Sequence, residues 1–167
     1  MRMIDLSVQP PAQTRPGVAL FPPVAARLSS RTNLYNDLSQ IFAFVSLVYE
    51  NGEQLDDQLS GNSADCAHPI PGSGRHVSDG RHARDQAYFY FPDLVIHYPG
   101  RYRIRVTLMR MEYDYETSEA ASVVQDYVDS RSIVVHEGIS NYPRPDERER
   151  AFLRMLHHDG QYVPNSY

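Results

Sequence analysis

Apolar and polar residues alternate from Ile4 to Gln9 with the period of a half-buried strand, and Pro10-Pro11 ends the run. A Pro-rich loop continues to Pro22-Pro23, after which Val24 to Leu28 predicts a second short strand and the polar stretch Ser29 to Gln40 a connection. Ile41 to Tyr49 is a continuous apolar run, rich in β-branched and aromatic residues and closed by Asn51-Gly52. It has the pattern of a central strand buried on both faces.

Residues 53–86 show almost no periodicity, and Pro69-Ile70-Pro71-Gly72-Ser73-Gly74 cannot build a regular element, so one long irregular loop is expected. Strands are predicted next over Ala87 to Phe91, Leu94 to Tyr98 and, after a Pro99-Gly100 turn, Arg101 to Tyr113. In the last of these Tyr102, Ile104, Val106 and Leu108 share one face and Arg101, Arg103 and Arg105 the other, whereas Met109 and Met111 switch parity. That switch predicts a bulge between Leu108 and Arg110. The stretch from Glu112 to Asp129 carries six acidic residues and no basic one and reads as a solvated excursion, strand-like only over Val123 to Val128. Ser132 to His136 forms a last strand.

A helix is predicted over Asp146 to His158, with Asp146 and Glu149 spaced as a capping box and Gly160 as its stop. Ala151, Phe152, Met155 and Leu156 mark its apolar face, and Arg148, Arg150 and Arg154 lie off that stripe. Together these elements predict one mainly β domain over residues 1–167 with a C-terminal helix.

Composition changes this picture little. The 167 residues are 41% hydrophobic and 22% charged, and the twelve Tyr and twelve Pro favour strands and turns. All sixteen basic residues are Arg, a fork that suits phosphate or carboxylate, although GC-rich coding bias gives the same composition. The net charge of -5 requires any nucleic-acid contact to come from a local basic patch. A single cysteine, Cys66, excludes an intramolecular disulfide, and the opening segment lacks a signal-peptide core, so a soluble intracellular protein without a membrane span is expected.

Candidate chemistry is sparse. His76, His82, Asp79 and Asp85, with Cys66 and His68 upstream, match no tetrahedral zinc spacing, and no nucleophile elbow, phosphate loop or dinucleotide fingerprint occurs. The expectation is therefore no enzyme, no cofactor, no metal and no small-molecule substrate; an enzyme using Cys66 or the loop histidines is a distant alternative. His157 and His158 suit the negative end of the helix dipole. The arginines form three sets. Arg101, Arg103 and Arg105 could face phosphates, or could pair with Glu112, Asp114 or Glu116 on an exposed sheet face. Arg15, Arg27 and Arg31 flank the Pro-rich loop, and Arg75, Arg81 and Arg84 lie in the long loop with the two histidines.

Several stretches resemble the velvet family of fungal regulators: Val8-Gln9-Pro10-Pro11 with Arg15 and Pro22-Pro23, then Phe42 to Glu50, then Phe89-Tyr90-Phe91-Pro92-Asp93-Leu94 running into Gly100-Arg101-Tyr102-Arg103-Ile104. Ser132-Ile133-Val134-Val135, Pro143 and Asp159-Gly160-Gln161 are similar to that family's closing strand and helix, so the resemblance covers nearly the whole chain. It implies an immunoglobulin-like β-sandwich akin to Rel-type (NF-κB-like) DNA-binding domains. It also implies a nuclear and cytoplasmic regulator of development, sporulation and secondary metabolism that pairs with itself or another velvet protein. Some family members bind double-stranded DNA through basic residues after the first strand, which carries over to Arg15, Arg27, Arg31, Arg101, Arg103 and Arg105 as candidates. Between Gln9 and Ala26, however, only Arg15 is basic. The alternative is a subunit that binds a velvet partner and no DNA.

Overall fold

The computed structural model describes residues 3–30, 37–55, 57–71, 85–139 and 144–164. In chain order the strands are β1 (Ile4–Val8), β2 (Gln13–Thr14), β3 (Val24–Ser30), β4 (Ile41–Tyr49), β5 (Gln54–Leu55), β6 (Leu59–Ser60), β7 (Ala64–Cys66) and β8 (His68–Pro69). They continue with β9 (Asp85–Phe91), β10 (Val95–Ile96), β11 (Gly100–Asp114), β12 (Glu119–Asp129) and β13 (Ile133–Val135), and helix α1 (Glu147–His158) closes the series. No helix among the described residues is long and apolar enough to cross a membrane.

The strands form two principal sheets. The first has the order β1-β3-β9-β8; the second has β2-β13-β11-β4-β5, with β12 also on β11 and β7 also on β4, and β10 pairs with β6 in a small third sheet. Alternation decides what each principal sheet contributes to the core. Ile4, Ala26, Leu28 and Phe89 from the first and Ala43, Leu47, Ile104 and Val106 from the second belong to one buried cluster. The apolar period of two that the sequence shows in β1 and β11 thus has a physical counterpart in alternate burial, whereas β9 is buried on both faces from Ala87 to Phe91. Strand β4 lies between β11 and the short strands β5 and β7. It is buried on both faces only over Val45 to Val48, because Phe42 and Phe44 on its outer face are half-buried.

Tyr102 fixes the corner that leads into β11. Its ring is buried, and its hydroxyl lies within donating distance of the Tyr98 and Pro99 carbonyls, at 3.1 and 3.0 Å.

Helix α1 covers the opposite face of the first sheet. Phe152, Leu153 and Leu156 pack with Val8, Ala25, Tyr88 and Tyr90 in a second cluster. Each such burial stabilises by about 1.5–3 kcal/mol. The apolar stripe therefore runs through Leu153, whereas Ala151, expected on it, is exposed. The expected capping box is present: the Asp146 carboxylate accepts from the Glu149 amide at 2.8 Å and the Glu149 carboxylate from the Asp146 amide at 3.0 Å. The second Glu149 oxygen accepts from the Gln9 amide at 2.7 Å, which ties the helix start to the end of β1. Gly160, at φ +91, ends the helix in the left-handed region that a residue with a Cβ enters at a cost.

Three further expectations change. The described part of the long loop holds β5 to β8, two- or three-residue strands positioned by β4, β9 and β10 and not by any periodicity of their own. The acidic excursion is a regular hairpin, because β12 pairs with β11 over ten positions from Arg105↔Asp129 to Asp114↔Glu119. The register shift does fall between Leu108 and Met109, but the extra residue is Gln125 of β12, since Leu108 faces Asp126 and Met109 faces Val124. Strand β11 itself runs on in continuous register with β4. Met109 and Met111 consequently stay on the arginine face.

Candidate interaction surface

The outer face of the second sheet carries the arginine row. Arg105 stands opposite Asp129 and meets it fork to fork, with Nε donating at 2.7 Å and Nη2 at 3.0 Å. Its guanidinium also lies over the Tyr127 ring, 4.3 Å from the centroid. The hydrogen bond to Asp129 and that residue's charge hold the guanidinium pKa above the ordinary arginine value, against the opposing effect of burial. Arg103 donates from Nη1 to the Ser130 carbonyl at 2.8 Å, and Arg101 is exposed. Two of the three arginines are thus engaged within the chain. Their partners are Asp129 and Ser130, not the expected Glu112, Asp114 or Glu116.

Beyond this row the β11–β12 hairpin extends with both faces largely in water. One face continues the arginine side with Met111, Tyr113, Val124 and Tyr127. Tyr113 is 52% exposed, Val124 58% and Tyr115, in the turn, 87%. The other face sets Glu112 opposite Ala121 and Asp114 opposite Glu119. Two carboxylates directly across a ladder repel one another. The nearest cation along that face, Arg110, is already paired with Asp37 at 3.3 Å. A groove of about 590 Å³ lined by Gln40, Arg110, Glu112, Tyr113, Ala120 and Gln125 runs along the hairpin.

The set around the Pro-rich loop is scattered. Arg15, after β2, is exposed and donates from Nε to the Ile139 carbonyl at 2.6 Å. Arg27 lies in β3 with its guanidinium 5.0 Å from the centroid of the Phe152 ring, and its buried Nε has no hydrogen-bond partner among the described residues. It belongs to the packing between the first sheet and α1. Arg31 lies outside the described residues, as do Arg75, His76, Asp79, Arg81, His82 and Arg84.

A polar network that the sequence did not signal joins β7, β8, β9 and the end of α1. His68 Nε2 lies 3.1 Å from each Asp65 carboxylate oxygen, and its ring stacks on Tyr88 with centroids 4.9 Å apart. Asp65 also accepts from the Tyr90 amide at 2.9 Å. The buried Tyr88 hydroxyl donates to Asp159 and accepts from Gln161 Nε2 at 3.2 Å. Desolvation first, then the bond to Asp159, pushes the Tyr88 phenol well above its ordinary pKa. The hydrogen bond to Asp65 raises the His68 pKa above 6.5, with burial opposing. Cys66 is exposed and free, and among the described residues no three His, Cys, Asp or Glu side chains cluster as a metal site.

No protein-family model matches the chain, and no curated protein matches it either.

Proposed function

We propose that the chain is an immunoglobulin-like β-sandwich of velvet type that regulates transcription by pairing with another velvet-type protein, without catalysis. The residue blocks given above support the family reading. The shared core between two sheets and the Tyr102 hydroxyl reaching back to the carbonyls before its strand support the sandwich reading, because a tyrosine held in this way is a recurrent corner device of such folds.

The observation that carries the choice of partner is the state of the arginine row. A guanidinium locked on Asp129 has its charge largely neutralised, and the adjoining hairpin, with no basic residue from Met111 to Ser130, adds carboxylates that repel phosphate. The exposed Tyr113, Tyr115 and Val124 instead offer the aromatic and apolar area that protein interfaces use.

A tagged domain incubated with purified velvet-type proteins tests this reading. Stoichiometric recovery of one of them is expected, together with no electrophoretic shift of promoter DNA at ~50 mM salt, where phosphate contacts are strongest. Recovery of no velvet-type protein, with a DNA shift that weakens steeply with salt, would replace it by the DNA-binding reading through the exposed Arg15 and Arg101.

A further inference from the structure

We infer that the outer edge of β12 receives an extended, basic segment of a partner protein as an added antiparallel or parallel strand. The inference deepens the protein-partner reading above and rests on it.

Among the described residues β12 pairs with β11 alone, so the outward N–H and C=O groups of Glu119 to Val124 form an open ladder. Native edges are ordinarily blunted by lysine, proline, inward charge or a covering loop. The sequence Glu119-Ala120-Ala121-Ser122-Val123-Val124 has none of lysine or proline and carries one charge, at its start. The bulge at Gln125 lies just beyond this stretch, and Glu119 to Val124 keep regular register with β11. Strand addition supplies affinity through main-chain hydrogen bonds and specificity through alternate side chains.

Charge selects the kind of strand. Glu112, Asp114 and Glu119 lie on one hairpin face, with Asp114 and Glu119 directly opposed, and no basic residue occurs from Met111 to Ser130. An incoming strand that places Arg or Lys on that face relieves the repulsion between these opposed carboxylates. Apolar residues at its alternate positions would lie beside Val124 and Ser122, next to Met111 and Tyr113. A second copy is a poor occupant. Antiparallel pairing of two β12 edges about Ser122 and Val123 brings Glu119 of each towards Asp126 of the other.

The probe is a fluorescein-labelled peptide of about nine residues, the length of a strand, alternating Arg with Val. A first control has alternate amides N-methylated, which keeps charge and removes donors, and a second replaces Arg by Glu. The Arg peptide is expected to bind and to slow amide exchange over Glu119 to Val124. N-methylation, or the exposed double substitution Glu112→Arg with Glu119→Arg, is expected to weaken it by about tenfold or more, with the melting temperature of the double variant confirming that it folds. Equal binding of the N-methylated peptide would show charge attraction alone and overturn the inference, as would slowed exchange elsewhere with β12 unchanged. A concentration-dependent dimer of the unmodified chain that excludes the peptide would overturn it in favour of a second copy. Undiminished recovery of a velvet-type protein by the double variant would overturn it while leaving the proposed function standing.

Discussion

Arg105 and Asp129 stand directly opposite one another on β11 and β12 and close a bidentate pair at 2.7 and 3.0 Å. Both side chains keep about a quarter of their surface in water, 23% and 29%. The pair therefore sits between the weak exposed ion pairs and the costly buried ones. Asp129→Asn should destabilise the fold by about 1 kcal/mol, read as a shift in urea midpoint. A double-mutant cycle with Arg105→Gln should return most of that value as coupling.

Ser130 has a second role at the same corner. Buried to 1% exposure, its hydroxyl accepts from the Ile104 amide at 2.9 Å and donates to the Arg131 carbonyl at 2.8 Å. Ser130→Ala leaves the Ile104 amide without its acceptor, a loss of about 1–3 kcal/mol. Ser130→Thr should recover part of it. Chemical denaturation of the two variants checks the order.

The network around His68 makes stability depend on pH. Because its folded pKa is raised above the unfolded value of 6.5, the pair with Asp65 contributes fully below that value. The contribution is lost as pH rises through the higher folded pKa. Denaturation midpoints measured from pH 5 to pH 9 should therefore fall across the range above 6.5, and His68→Gln should flatten that part of the profile.

Tyr88→Phe removes the hydroxyl that joins β9 to Asp159 and Gln161 after α1. The aromatic packing against Phe152 and His68 remains, so the expected cost is about 1–2 kcal/mol. Amide exchange should quicken first in the last turn of α1.

Strands were legible where burial on one face imposes a period of two, as in Ile4 to Val8 and Arg101 to Leu108, and where an unbroken apolar and aromatic run is buried on both faces, as in Ala87 to Phe91. The helix start was legible because Asp146 and Glu149 satisfy each other's amides locally. Strand β12 looks like an excursion in the sequence because most of its residues are exposed on both faces, leaving no burial contrast, and Gln125 breaks its period. Strands β5 to β8 owe their existence to distant partners such as Phe42, Leu47 and Tyr88. Similarly, Leu153 replaces Ala151 on the buried stripe because the orientation of α1 is set by Tyr88 and Tyr90 beneath it. Of the candidate site, the arginine face of β11 was visible in alternation. Its occupation by Asp129 and Ser130 was not, since the pairing depends on a register shift in the neighbouring strand.

Amide exchange of the domain with and without a purified velvet-type partner addresses the central claim most directly. Slowed exchange in the hairpin from Met111 to Tyr127, with Arg15 and its neighbours unchanged, is the expected result. Unchanged hairpin amides in the complex, or protection confined to the Arg15 segment on adding duplex DNA, would contradict it.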